Sequence, residues 1–267
     1  MTAGAALATA AEWLGTRLDA ELLLAHVLDV ERSTVVARDE RVLTPEEQGD
    51  FENLLARRMA GEPLAYLTGT REFWSLEFEV TPAVLVPRPE TELLVEWALA
   101  LPGDAFLDLG TGSGAIALAM AHERVHAAIT ATDRSREALT VADRNARRLG
   151  LERVEFLEGG WWAPVAGRLF DVIVSNPPYV AENDPHLAEL KFEPALALTS
   201  GPDGLDALRA IVAGAPRHLH AGGWLLVEHG SQQGAAVREL FQAAGFASIE
   251  TRRDLANLER ATGGRRP

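Results

Sequence analysis

From Asp104 to the C-terminus, short apolar runs alternate with longer helical segments, and no other feature constrains the fold as much. The runs occupy residues 105–109, 129–132, 154–157, 170–174, 224–227 and 247–251. Strands separated by helices cannot pair through tight turns, so the pattern predicts a parallel, doubly wound α/β sheet. Sheets of this kind bind ligands outside the carboxyl ends of their strands. The segments that leave those ends are therefore the places to look for chemistry.

The chain before this region reads differently. Residues 2–62 read helical, with Leu14, Leu18, Leu22 and Ala25 at helical spacing and a start signal at Thr44-Pro45-Glu46-Glu47, where proline takes the first helical position. Gly61-Glu62-Pro63 closes this segment. Alternation follows in Glu72-Phe73-Trp74 and Leu76-Glu77-Phe78-Glu79-Val80, which suggests a β-hairpin. The expected organisation is a helical domain over residues 1–65, a hairpin linker over 66–86 and an α/β domain over 87–267.

Bulk composition excludes several classes. No cysteine is present, which removes disulfides, thiolate metal sites and cysteine nucleophiles together, and the seven histidines show no metal-binding spacing. We expect no metal. No apolar run approaches the roughly 20 residues of a membrane helix, and the Ala-rich start lacks a basic region, so neither membrane association nor a signal peptide is expected and the location expected is cytoplasmic. The net charge of −14 opposes nonspecific binding of nucleic acid. Residues 1–70 hold 12 acids against 6 bases and the remainder 27 against 19, so neither part is a basic module.

Asp108-Leu109-Gly110-Thr111-Gly112-Ser113-Gly114 lies where the first strand of the α/β region becomes a helix. Glycines there let backbone approach a ligand closely. Asp133 ends the next strand, where a carboxylate can accept both hydroxyls of a ribose. The pair points to a nucleoside cofactor, and by itself fits S-adenosylmethionine or a nicotinamide dinucleotide.

Ser175-Asn176-Pro177-Pro178-Tyr179 separates the two. Two prolines stop the preceding strand abruptly and make a stiff loop. The Asn176 side-chain oxygen and the Pro177 carbonyl offer two acceptors for the two N–H groups of a flat amine, and Tyr179 offers a ring to stack on it. An amide or adenine amine is a poor nucleophile, because its lone pair is delocalised. Holding both N–H groups aims that lone pair at an electrophilic methyl. These residues suit a carboxamide and an adenine exocyclic amine equally, which leaves a carboxamide methyltransferase and an adenine-N6 nucleic-acid methyltransferase as alternatives.

Residues 64–92, the loop from Asp108 to Gly114, residues 175–180, Phe192-Glu193-Pro194, Glu228-His229-Gly230 with Gln232-Gln233-Gly234, and residues 253–260 closely resemble the HemK/PrmC family. Its members are N5-glutamine methyltransferases of peptide chain release factors. The resemblance implies a class I methyltransferase domain behind a helical domain that binds the release factor, with S-adenosyl-L-methionine as donor. The acceptor implied is the glutamine of the Gly-Gly-Gln motif. By position, Gly110, Thr111, Gly112, Ser113, Gly114, Asp133, Trp161 and Asn176 would hold the cofactor. Asn176, Pro177, Pro178 and Tyr179 would form the glutamine pocket, with Arg88, Pro89, Thr91 and Glu92 shaping its entrance. Where the family often has an acid before the tryptophan, this chain has Gly160.

Overall fold

The computed structural model describes residues 1–267, which divide into two units, Met1–Thr70 and Arg71–Pro267. The first is built from five helices: α1 (Ala3–Leu14), α2 (Arg17–Leu28), α3 (Arg32–Ala37), α4 (Pro45–Met59) and α5 (Leu64–Thr68). No helix in either unit is long and apolar enough to cross a membrane. At α4 the expected start signal forms a capping box. Thr44 Oγ1 accepts from Glu47 N at 3.2 Å, and the Glu47 carboxylate accepts from Thr44 N at 2.9 Å.

The leucine stripe is corrected by the structure. Gly15 takes a left-handed conformation (φ 68°) and ends α1, so Leu14 and Leu18 lie on different helices and Leu18 is exposed. Ala25 of the stripe is buried on α2, and the rest of that face is Ala20, Leu23 and Leu24, with Glu21 buried between Arg17 and Arg32. The segment after Pro63 opens as helix rather than as alternating strand. Leu67 of α5 packs into the helical core.

A hairpin follows, β1 (Thr70–Phe73) and β2 (Leu76–Glu79). Its two turn residues, Trp74 and Ser75, both have positive φ (54° and 57°), the geometry that matches strand twist and usually selects Asn-Gly. Hydrogen bonds offset the strain. Trp74 N donates to the Glu92 carboxylate and Trp74 Nε1 to that of Glu123, both at 2.8 Å.

Then follow α6 (Glu92–Leu99), β3 (Ala105–Leu109), α7 (Ala115–Glu123), β4 (Ala128–Asp133), α8 (Arg136–Leu149), β5 (Glu155–Glu158) and β6 (Phe170–Ser175). The chain ends with α9 (Asp206–Gly214), β7 (Leu219–Glu228), α10 (Gly234–Ala243), β8 (Ala247–Arg253) and β9 (Glu259–Arg265). The seven sheet strands run in the order β5-β4-β3-β6-β7-β9-β8. Side chains alternate between two apolar layers. Phe106, Val172 and Val174 pack with Leu94 and Trp97 of α6 and Ile116 and Met120 of α7, while Leu107, Leu109 and Ile173 pack with Ile211 of α9 and Phe241 of α10. Beyond β3 the order reverses direction, with β4 on one side and β6 on the other, which opens a crevice at their carboxyl ends.

Two features depart from the expected parallel pattern. Ala221-Gly222-Gly223, a triplet that by composition marks a turn, lies inside β7, where the register against β6 jumps between Phe170 and Val172. β9 is unexpected altogether, and it pairs antiparallel with both β7 and β8. Its glycines mask it, since glycine is poor in strands except where other groups approach closely. A Cβ on Gly263 would lie 2.6 Å from Leu226 and 2.7 Å from the Trp97 ring, and one on Gly264 would lie 2.6 Å from Phe241. Substituting Gly263→Ala should therefore destabilise the protein by about 1–3 kcal/mol. Gly49, exposed inside α4 with nothing within 4 Å of an added Cβ, should behave oppositely. Gly49→Ala is expected to stabilise by about 0.5–1 kcal/mol, and urea unfolding of the two variants checks both signs.

Candidate active site

A cavity of about 350 Å³ opens where β3, β4 and β6 end. Of the residues expected there, Gly110, Thr111, Gly112, Ser113, Asp133, Trp161, Asn176, Pro178, Arg88 and Thr91 line it. Gly114, Pro89, Glu92, Pro177 and Tyr179 do not.

The glycine loop is held from below. Gly110 N and Thr111 N both donate to the Thr132 carbonyl at the end of β4, at 2.8 and 2.9 Å. Gly112 N donates to Asp133 Oδ2 at 2.9 Å and Ser135 N to Asp133 Oδ1 at 2.8 Å, so one carboxylate ties the loop to the start of α8. Burial pushes that carboxyl upward. Gly112 has φ 56° and Gly114 φ 85°, a conformation that L side chains rarely adopt, and a Cβ on Gly114 would press on Leu118 at 3.0 Å. Asn145, fully buried on α8, donates to the Ser113 carbonyl at 2.9 Å and to the Glu79 carbonyl at 3.0 Å, fixing the far end of the loop. Trp161 holds a left-handed backbone (φ 39°), unusual for a bulky residue, and its ring lies 3.6 Å from where a Cβ on Gly110 would stand. Gly160 has open space beside it, with nothing within 4 Å of an added Cβ.

Asp108 lies beneath the loop with no exposure. Thr111 Oγ1 donates to its Oδ2 at 2.7 Å, while Oδ1 is buried without a hydrogen-bond partner. Burial pushes its carboxyl up to about 7 against the Thr111 bond.

At the end of β6, Ser175 Oγ donates to the Leu109 carbonyl at 2.6 Å, which sets the Asn-Pro-Pro-Tyr loop against the end of β3. Asn176 Nδ2 donates to Thr91 Oγ1 at 3.0 Å, and the Thr91 hydroxyl donates to Glu228 Oε2 at 2.7 Å. Tyr179 Oη donates to Glu228 Oε1 at 3.1 Å, and Gln233 Nε2 donates to the Tyr179 carbonyl at 3.0 Å. Glu228 is buried, and burial pushes its carboxyl up to about 7 against the bonds from Thr91 and Tyr179. Burial and the neighbouring Glu228 charge also push the Tyr179 phenol up.

Several expected roles change here. The Tyr179 ring was expected to stack on the flat acceptor, but it packs into the apolar layer under β6 and β7 with its hydroxyl spent on Glu228. Glu92 was expected at the pocket entrance, but its carboxylate caps the hairpin turn at Trp74. Pro177 is buried. Arg88 does reach the cavity, and pairs with the buried Glu193, whose other oxygen accepts from Val86 N at 3.1 Å. Glu193, Glu228 and Gln233 stood in recognisable sequence segments, but nothing in the sequence said what they hold, because Arg88, Thr91 and the Tyr179 carbonyl lie 105, 137 and 54 residues from them.

The PrmC N-terminal domain family matches residues 3–69 and the methyltransferase small domain family matches residues 89–196. The release factor glutamine methyltransferase of Burkholderia pseudomallei is 54% identical over 97% of both chains, and that of Escherichia coli is 48% identical over 93% of this chain and 92% of its own. This chain belongs to the release factor glutamine methyltransferase family. It is a methyltransferase, and the expected fold is the one found. A solved methyltransferase from Pyrococcus furiosus, 21% identical, shares that fold with a TM-score of 0.57 over 80% of this chain and 98% of its own.

For this methyltransferase the raised carboxyl of Asp108 has a measurable consequence. Its value moves from 3.8 to about 7 on folding, so between those pH values the folded state keeps a proton that the unfolded chain has released. The contribution of Asp108 to stability therefore falls as pH rises from about 4 to 7. The Asp108→Asn variant lacks this dependence. Its unfolding free energy should gain on that of the wild type by up to about 4 kcal/mol between pH 4 and pH 8, as read by urea unfolding across that range.

Proposed function

We propose that this chain transfers the methyl group of S-adenosyl-L-methionine to N5 of the glutamine in the Gly-Gly-Gln motif of bacterial peptide chain release factors. The observation that carries the reading is the Asn176 amide. It lines the cavity with Nδ2 committed to Thr91, so Oδ1 is the end left to accept from a substrate N–H. The named activity of relatives about half identical over nearly the whole chain agrees with it.

The residues fit the cofactor. Thr111, Gly112 and Ser113 line the cavity, and Gly112, at φ 56° with nothing within 4 Å of an added Cβ, leaves its backbone open to a ligand. Asp133 is the carboxylate for the ribose hydroxyls and Trp161 the flat wall for the nucleoside. When bound, S-adenosylmethionine supplies an electrophilic methyl on a sulfonium. Asn176 Oδ1 accepts an N–H bond of the glutamine amide and aims its nitrogen lone pair at the methyl. The nitrogen would gain the methyl as the carbon–sulfur bond of the sulfonium breaks, its electron pair leaving on a neutral thioether, and would then release one proton to solvent, so no strong base need act during transfer. Positioning and partial exclusion of water are what these residues contribute to the rate. Arg88, held by Glu193, borders the acceptor side of the cavity.

The N-terminal unit is the release-factor contact in this reading. It exposes Trp13, Leu18 and Met59, and Trp13 and Met59 border a small cleft with Asp19 and Arg58. An adenine amine would satisfy Asn176 equally, but the acidic charge of both parts of the chain opposes a nucleic-acid acceptor.

Incubation of the protein with S-adenosylmethionine and a purified release factor should add one methyl to the Gly-Gly-Gln glutamine, as read by mass spectrometry of the peptide. Incorporation only into nucleic acid would overturn the assignment. Asn176→Ala should keep cofactor affinity within about threefold and lower kcat by at least about 100-fold. Trp13→Ala should raise KM for the release factor several-fold with kcat unchanged, as steady-state kinetics would show.

A further inference from the structure

We infer that Glu228 is a positioning residue that fixes which end of the Asn176 amide faces the cavity, and that it thereby makes the site select a carboxamide over a carboxylate. The inference deepens the proposed function and rests on it. Asn176 sits at the cavity, and its two ends differ only in being donor or acceptor. An amide with no fixed partner turns over at little cost, so its orientation has to come from the network around it.

That network runs in one direction. Glu228 is 1% exposed and receives two hydroxyl groups, Thr91 at Oε2 and Tyr179 at Oε1. Above its raised value of about 7 Glu228 is an ionised carboxylate, which only accepts. The single proton of the Thr91 hydroxyl is therefore spent on Glu228, and Thr91 Oγ1 has only lone pairs left for Asn176. Only Nδ2 of Asn176 can donate to a lone pair, at 3.0 Å. Thr91 is itself 4% exposed, so water does not relieve this constraint. Orientation passes from the carboxylate through the hydroxyl to the amide, and Oδ1 remains for the cavity.

The charge is kept in place by its surroundings. Tyr179 faces it from the loop after β6 and is clamped at its own carbonyl by Gln233. Arg260 on β9 supplies a favourable positive charge and is paired with Asp254, while Glu90, just before Thr91, supplies an opposing negative one. With the relay intact, a substrate that brings an N–H group finds an acceptor in Asn176 Oδ1. A substrate that brings a carboxylate finds Asn176 Oδ1, oxygen against oxygen. Without it, the amide is free to turn and present Nδ2, which suits a carboxylate. Rejection of the acid is then weakened, because polar mismatch is what discriminates at such a site.

The test uses the full chain at pH 8 with three variants and two release factors, one with Gly-Gly-Gln and one with the glutamine replaced by glutamate. Thr91→Val removes the hydroxyl at nearly constant volume, Thr91→Ser restores it, and Glu228→Gln removes one acceptor and makes the direction ambiguous. Thr91→Val and Glu228→Gln should lower kcat by about 10- to 100-fold with cofactor affinity unchanged, whereas Thr91→Ser stays within about threefold of wild type. In the first two, the Kd of the glutamate release factor relative to the glutamine one should fall at least about fivefold. Unchanged kcat in both, or a lowered kcat with the Kd ratio of wild type, would overturn the inference. Wild-type turnover on the Gly-Gly-Gln release factor tests the proposed function separately, since it does not depend on any variant.

Discussion

Everything at the cavity depends on the pairing of β3 with β6 across the point where strand order reverses. The two strands run in register from Phe106 with Val172 to Asp108 with Val174, and the Ser175 hydroxyl closes the seam on the Leu109 carbonyl at 2.6 Å. The next residue of one strand is Gly110 and of the other Asn176. Two loops with different chemistry, one able to hold a nucleoside and one able to hold an amide, are thus set face to face by a single hydrogen-bonded seam. A sheet is stiff in this direction because each strand end is fixed by its neighbours, so the facing distance is inherited from the core.

Three buried carboxylates act around this seam, and each is anchored differently. Asp108 takes one hydroxyl and leaves one oxygen without a partner. Glu228 takes two hydroxyls and leaves no oxygen without a donor. Glu193 takes the Arg88 guanidinium and a backbone N–H. A carboxylate whose two oxygens are both engaged fixes the groups that donate to it, as Glu228 and Glu193 do. Desolvation pushes Asp108 and Glu228 toward neutrality, so part of the fold's stability is given up to keep charge where the site needs it.

Much of the second unit could be read from its strands. Residues 105–109 form β3 as expected, and the other five expected runs lie in β4 to β8 within a few residues. β9 escaped because Gly263 and Gly264 carry no apolar signal. They are glycines because Trp97, Leu226 and Phe241 fill the space a side chain would need. The leucine stripe misled for a related reason, since a periodic pattern carries no information about a break in phase, and Gly15 resets it.

At the site, the sequence by itself determined the chemistry of individual residues. A stiff loop with two acceptors, a glycine turn after a strand and an acid ending the next one are local facts, fixed by backbone restrictions and donor-acceptor inventory over a few positions. Only the tertiary structure decided what each residue touches. It set Tyr179 against the apolar layer under β6 and β7, gave Glu92 to the hairpin turn, and brought Thr91 and Glu228, 137 residues apart, to opposite ends of one hydrogen bond. The direction of a hydrogen bond is set by the partner at its far end, and that partner is chosen by the packing of the whole chain.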